Sequence, residues 1–170
     1  MTKTTKNKFI LLGIITLSVV LLDQWTKDWI VRNYLESQST YVTSFFNITY
    51  VKNFGAAFGI FRTLQETIRE TFFLLMPPIA MVIIVFMLHA TEVFEKVRNL
   101  ALCLVFGGAL GNYIDRVHYG FVVDFLDFHI MNKYKWPAFN VADISIVCGI
   151  SLLIFLELGL LKDQLKKSKA

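Results

Sequence analysis

Two aspartates sit where an apolar sequence has little ordinary use for them. Asp124 lies inside GFVVDFLDFHI, and Asp143 lies in PAFNVADISI at the head of a long apolar run. An ionisable side chain at bilayer depth costs a few kcal/mol or more, so each one requires a partner or a purpose. Asn140 stands three residues before Asp143, and Pro137 three before that. This is the pattern of a helix start, with Asn140 as N-cap and an acid in the first turn, where free N–H groups favour negative charge. Capping alone accounts for those residue types. For Asp124, strand alternation places Val122, Asp124 and Leu126 on one face and Val123, Phe125 and Asp127 on the other. Asp124 is therefore expected among apolar neighbours, where desolvation raises a carboxyl pKa. Asp127, nearer the polar end of the segment, is expected to be solvated. Two carboxyls brought together in a poorly solvated site share one proton. The ionised member draws a proton from water while the protonated member polarises a peptide carbonyl. That is general acid–base hydrolysis without metal or covalent intermediate, and the proton belongs to the pair, not to either acid.

Other polar residues collect near the same end of the apolar segments. In GGALGNYIDR, Asn112 and Arg116 are four apart and share a helix face. Asn112 can hold a carboxyl group in place, and Arg116 can bind a substrate carbonyl or offset negative charge. Their plainer role is packing glue plus an interfacial cation that snorkels outward. Gly107, Gly108 and Gly111 form a flat face for close helix contact, and Asp115 can cap or pair within the bundle. In DQWTK, Asp23 and Lys27 have the i, i+4 spacing of a structural ion pair. Lys27 as general base beside a serine is the competing idea, but Ser18, Ser37, Ser39 and Ser44 carry no accompanying motif. His89, His118 and His129 are scattered with no HExxH pattern, and Cys103 and Cys148 have no metal-ligand spacing. No metal and no cofactor is expected.

The elements that must position these groups are membrane helices. The 170-residue chain is 55% hydrophobic and only 18% charged, with a mean hydropathy of +0.56, too apolar for an ordinary soluble domain. A spanning helix needs about 20 apolar residues. Four windows qualify, at about 9–31, 71–90, 100–117 and 139–161. The first resembles a signal peptide, with Lys3, Lys6 and Lys8 before it, but no small-x-small cleavage site follows, so it reads as a retained anchor. Lys96 and Arg98 between the second and third segments, and Lys162, Lys166, Lys167 and Lys169 at the end, place both termini in the cytoplasm. Extracytoplasmic loops then cover about 32–70 and 118–138. YVTSFFNITYVKN has strand composition, TLQETIRETF reads as a short amphipathic helix, and Pro77 with Pro78 should kink the second span. Trp25 and Trp29 suit an interfacial aromatic belt. The fold class expected is a mainly α membrane protein: a single domain, 1–170, of four transmembrane helices with a small extracytoplasmic β-sheet. The net charge of +4 sits mainly at the chain ends, which fits contact with membrane phospholipids and not with nucleic acid.

These motifs together resemble those of lipoprotein signal peptidase, or signal peptidase II, of bacteria. The resemblance rests on DQWTK at 23–27, VKNFGAAFGIF at 51–61, GGALGNYIDR at 107–116, VVDF at 122–125 and FNVADI at 139–144. It implies an aspartyl endopeptidase of the bacterial inner membrane. Such an enzyme removes signal peptides from prolipoproteins just before a cysteine already carrying a diacylglyceryl group. It also implies that Asp124 and Asp143 are the catalytic dyad and that Asn53, Asn112, Arg116 and Asn140 line or support the site. Asp23 and Lys27 fall on a supporting motif. A small β-sheet, a mobile helix or loop over the site, and inhibition by globomycin-type cyclic peptides follow from the same resemblance. The implied partners are lipid-modified prolipoproteins, with no obligate protein partner.

Two other readings start from the same residues. A proton-coupled transporter would place its acids near the bilayer midplane and show internal symmetry, whereas here the acids cluster at one face and no repeat is evident. A non-enzymatic assembly subunit held by the glycine face would leave the Asp124 and Asp143 pair without a purpose.

Overall fold

The computed structural model describes residues 3–55, 65–92, 95–130 and 134–167. Helix α1 spans Lys3–Asn33, strands β1 and β2 span Ser39–Thr43 and Phe46–Asn53, and helices α2 and α3 span Glu66–Ala90 and Lys96–Tyr119. Strands β3 (Val122–Ile130) and β4 (Tyr134–Lys135) precede helix α4, Val141–Lys167. All four helices are long and apolar enough to cross a membrane. Their connections make an up-and-down bundle with the sheet at one end.

Helix α3 is the central element and packs against α1, α2 and α4. Its glycines make that possible. A Cβ on Gly108 would lie 2.3 Å from the Ala142 carbonyl oxygen of α4, and one on Gly111 would lie 2.8 Å from Asp23 Oδ2 of α1. Backbones this close admit only a hydrogen at those positions. The contact brings the polar residues of α3 against both neighbours. Away from the sheet, Leu88, Leu102 and Cys103 are buried with Ile84 in an apolar cluster. Leu17, Leu21, Phe86 and Phe155 face outward, as lipid-facing side chains do. Trp25 and Trp29 are exposed near the sheet end of α1, as an interfacial belt requires.

Helix α2 differs from expectation at its start. Thr63 and Leu64 of TLQETIRETF lie outside the described residues, and from Glu66 the segment is the first turns of α2 itself, which continues through Pro77 and Pro78 to Ala90. The FGAAFGIF segment lies largely outside the described residues. Lys8 also departs from its expected place beside lipid head groups. It is buried, and its Nζ donates to the carbonyls of Leu88 at 2.8 Å, His89 at 3.0 Å and Thr91 at 2.6 Å. The last carbonyls of a helix have no intrahelical partner and carry the negative end of its dipole, so a lysine satisfies them well.

The sheet is antiparallel in the order β1-β2-β3-β4. One face packs on the end of α1 through Ile30, Tyr50, Val123 and Phe125. Between Ile48 and Val51 the β2–β3 register slips, and the N–H groups of Phe125 and Leu126 both donate to the Phe139 carbonyl, at 3.1 and 2.8 Å. This bulge breaks strand alternation. Phe125 and Leu126 both line an apolar groove beside Trp25 and Trp29, while Asp124 and Asp127 both line a cavity on the other side. The expected opposition of Asp124 and Asp127 is thus overturned. Asp127 is half-buried and faces the same space as Asp124.

Candidate active site

Asn140 is the hub of the site. Its side-chain Oδ1 accepts from the Asp143 N–H at 2.9 Å, and its own N–H donates to Asp143 Oδ2 at 3.1 Å. The two residues thus close a reciprocal capping box at the start of α4. The same side chain turns its Nδ2 to Asp124 Oδ1 at 2.7 Å, Asn112 Oδ1 at 3.1 Å and the Val123 carbonyl at 3.2 Å. One fully buried asparagine therefore touches both acids, one from the sheet and one from α4.

Each acid has a second holder. Asn112 of α3 donates to Asp143 Oδ1 at 2.7 Å, and Asn53 at the end of β2 donates to Asp124 Oδ2 at 2.9 Å. Asn53 is itself fixed, since its Oδ1 accepts from the Gly55 N–H at 2.8 Å. Gly55 has φ +88°, a left-handed conformation natural to glycine. Only 2% of Asp124 is exposed. Burial pushes its carboxyl up from the usual 3.8 to about 7, and the neighbouring Asp143 charge adds to the rise. Hydrogen bonds from Asn53 and Asn140 and the charge of Lys27 act the other way without cancelling it. Both acids open onto one cavity of about 830 Å³.

Behind the asparagines lies a buried ionic cluster. Lys27 Nζ meets Asp23 Oδ2 at 2.8 Å, Asp115 Oδ2 at 3.0 Å and Asn112 Oδ1 at 3.0 Å, which uses all three of its protons. Asp23 also accepts the Ala142 N–H of α4 at 2.8 Å, and Asp115 accepts the Val123 N–H of β3 at 3.0 Å. The cluster ties α1, α3, α4 and β3 together at the depth of the two acids. Its Lys27–Asn112–Asp143 chain fixes which end of the Asn112 amide faces Asp143. None of the described serines contacts Lys27, so nothing favours the serine–lysine idea.

Arg116 is half-buried. Its Nη1 donates to the Asn112 carbonyl at 3.2 Å, and its guanidinium lies 5.4 Å from the Phe73 ring centre. It borders the acids without a direct hydrogen bond to either among the described contacts. Sequence reasoning missed Gln24, whose Nε2 reaches Asp115 at 2.8 Å and both Asp23 and the Gly111 carbonyl at 3.2 Å. A glutamine inside a membrane-length apolar run was a sufficient signal. Asn47, on the cavity wall with Asp127, offered no comparable signal, because its placement depends on the bulge.

Comparison with known proteins gives a consistent result. The profile of the signal peptidase (SPase) II family matches residues 15–158. The lipoprotein signal peptidase of Francisella tularensis subsp. novicida (strain U112) is 40% identical over 150 residues, covering 88% of this chain and 90% of its own. That of Syntrophus aciditrophicus (strain SB) is 39% identical over 164 residues, covering 96% and 99%. A solved structure described as a bacterial membrane enzyme, determined in meso at 2.3 Å resolution, is similar with a TM-score of 0.76 and 38% identity, covering 90% of this chain and 88% of that one. A second, at 1.9 Å resolution, has the same TM-score and identity and covers 86% and 92%.

Proposed function

The chain belongs to the signal peptidase II family, and from that premise we propose that it cleaves prolipoproteins with Asp124 and Asp143 as its catalytic pair. The bond cut is the one on the N-terminal side of the diacylglyceryl-modified cysteine. The observation that carries the reading is the bridging of the two carboxyls through Asn140, at the mouth of a membrane-length helix and on the wall of one open cavity.

The pair holds one proton between its members. The ionised acid takes a proton from the attacking water, and the protonated acid gives its proton to the oxygen of the scissile carbonyl. On collapse of the gem-diol intermediate the acid that gave up its proton, now ionised, takes one back from a gem-diol hydroxyl as the carbonyl re-forms and the C–N bond breaks. The acid protonated by water passes that proton to the leaving amine, so the pair again holds one proton. Asn53, Asn112 and Asn140 hold the carboxyls in register. Arg116 supplies positive charge beside them. Asp23, Lys27, Asp115 and Gly108 keep α3 and α4 at the separation that the pair requires. The substrate's signal helix and acyl chains remain in lipid, and only the scissile bond rises to the level where water is available.

The lysine and arginine that flank the spans in the sequence, at both chain ends and between α2 and α3, support a cytoplasmic location for both termini, with the acids at the extracytoplasmic face of the bacterial inner membrane. Globomycin-type cyclic peptides are expected to inhibit, and membrane phospholipids to surround the bundle. The test is a gel-shift assay on lipid-modified prolipoprotein, comparing the wild type with Asp124→Asn and Asp143→Asn, with and without EDTA. Folded but inactive single variants and indifference to EDTA support the proposal. Cleavage by either variant at the wild-type rate, or loss of activity to EDTA, contradicts it.

A further inference from the structure

The cavity that holds the two acids extends well beyond them. At its far end it is lined by Ser39, Asn47 and Asp127. Ser39 and Asn47 also line a second cavity of about 410 Å³, together with Tyr41, Ser44 and His129. The two spaces therefore lie side by side along the sheet with Ser39 and Asn47 as their shared wall, a groove from the head of α4 toward the β1–β2 turn. Along β3 the path from Asp124 to His129 covers five residues, or about 16 Å at the rise of a strand, enough for roughly five extended residues.

Two residues lining the far cavity carry a buried polar atom that has no hydrogen-bond partner among the described residues. His129 is only 4% exposed, yet its Nδ1 has no hydrogen-bond partner among the described residues, and the same holds for the buried Oδ1 of Asn47. Asn47 Nδ2 reaches Asp127 Oδ2 only at 3.5 Å. Buried polar groups left unpaired are costly, so their persistence here needs a reason. An acyl chain would not satisfy them. The apolar groove beside Trp25 and Trp29 lies on the opposite face of the sheet, so lipid and polar ligands have separate surfaces.

The geometry points to a subsite for the polypeptide on the C-terminal side of the scissile bond. The first residues of the mature protein run extended along this groove, with main-chain or small polar groups meeting Asn47 Oδ1 and His129 Nδ1. The subsite rests on the proposed reading of Asp124 and Asp143 as the cleavage centre. It adds a determinant of which substrates are held well, and Asp127 on its wall disfavours acidic residues at the nearest position.

The experiment compares two diacylglyceryl-modified substrates, one ending at the residue after the modified cysteine and one continuing for six residues of serine, glycine and asparagine. The readout is the ratio of their kcat/KM values. The wild type prefers the longer substrate, chiefly through a lower KM. Each of His129→Phe and Asn47→Ala reduces that preference about five-fold, the scale of one lost hydrogen bond. The ratio is insensitive to how much of a variant folds, and Asn47→Ala, at a half-buried position, serves if His129→Phe folds poorly. A wild type without preference, or a preference unaltered by either variant, overturns the subsite. A wild type that cleaves neither substrate contradicts the peptidase reading instead.

Discussion

Replacing Asp124 by asparagine should abolish cleavage and at the same time make the protein relatively more stable as pH rises. Asp124 is nearly inaccessible, and its carboxyl stands at about 7 in the folded chain against a usual 3.8. Below about pH 4 the acid is protonated in both states, and the stabilising contribution of the neutral carboxyl is fully present. Between pH 4 and 7 the unfolded chain has released a proton that the folded chain still holds, so stability falls with pH and the contribution is gone above about 7. The whole change is on the order of 4 kcal/mol, of which roughly 3 kcal/mol falls between pH 5 and 8. Asparagine has no such dependence. Its amide cannot accept from both Asn53 and Asn140 as the carboxyl does, which sets a constant offset of about 1 kcal/mol against the variant. The informative quantity is therefore the change with pH. Thermal unfolding of detergent-solubilised wild type and Asp124→Asn at pH 5 and pH 8, followed by tryptophan fluorescence, gives the two Tm differences. The variant's Tm should gain on that of the wild type by roughly 5–10 °C across this interval. A difference that stays constant, or moves in favour of the wild type at pH 8, would refute the reasoning that burial holds the Asp124 proton.

Three further outcomes follow from the same geometry. The kcat/KM for prolipoprotein should fall about ten-fold per pH unit above pH 7, as the pair loses its shared proton; a flat profile from pH 7 to 9 speaks against a proton held at Asp124. Lys27→Met removes the cation between Asp23 and Asp115 and should cost about 3–5 kcal/mol, read as a loss of Tm larger than that of Arg32→Met, whose ion pair with Asp28 is exposed. Gly108→Ala places a methyl 2.3 Å from the Ala142 carbonyl and should destabilise by about 1–3 kcal/mol, whereas Gly13→Ala, with open space around it, should not lower Tm.

Much of this site was legible because its signals are local. The three-residue spacing from Asn140 to Asp143 announced a capped helix, and the capping box is there. Four-residue spacing announced the Asp23–Lys27 pair, found at 2.8 Å. What escaped depends on contacts distant in the chain. Asp115 pairs within the bundle as its position suggests, with Lys27, but it also anchors β3 through the Val123 N–H, which helix periodicity does not reveal. Strand alternation puts Asp127 on the wrong face because one slip in register inverts every side chain beyond it, and here the N–H groups of Phe125 and Leu126 both bond the Phe139 carbonyl at that slip. Lys8 looked like a lipid-facing charge, but the end of α2 comes close enough to occupy it.

The most direct measurement of the central claim is an experimental structure with a lipid-modified peptide whose scissile amide is replaced by a hydroxyl-bearing isostere that resists cleavage. The account predicts that hydroxyl between Asp124 and Asp143, within hydrogen-bond reach of both at roughly 3 Å. A hydroxyl seated against other groups, or acids too far apart for a single oxygen to touch both, would contradict it.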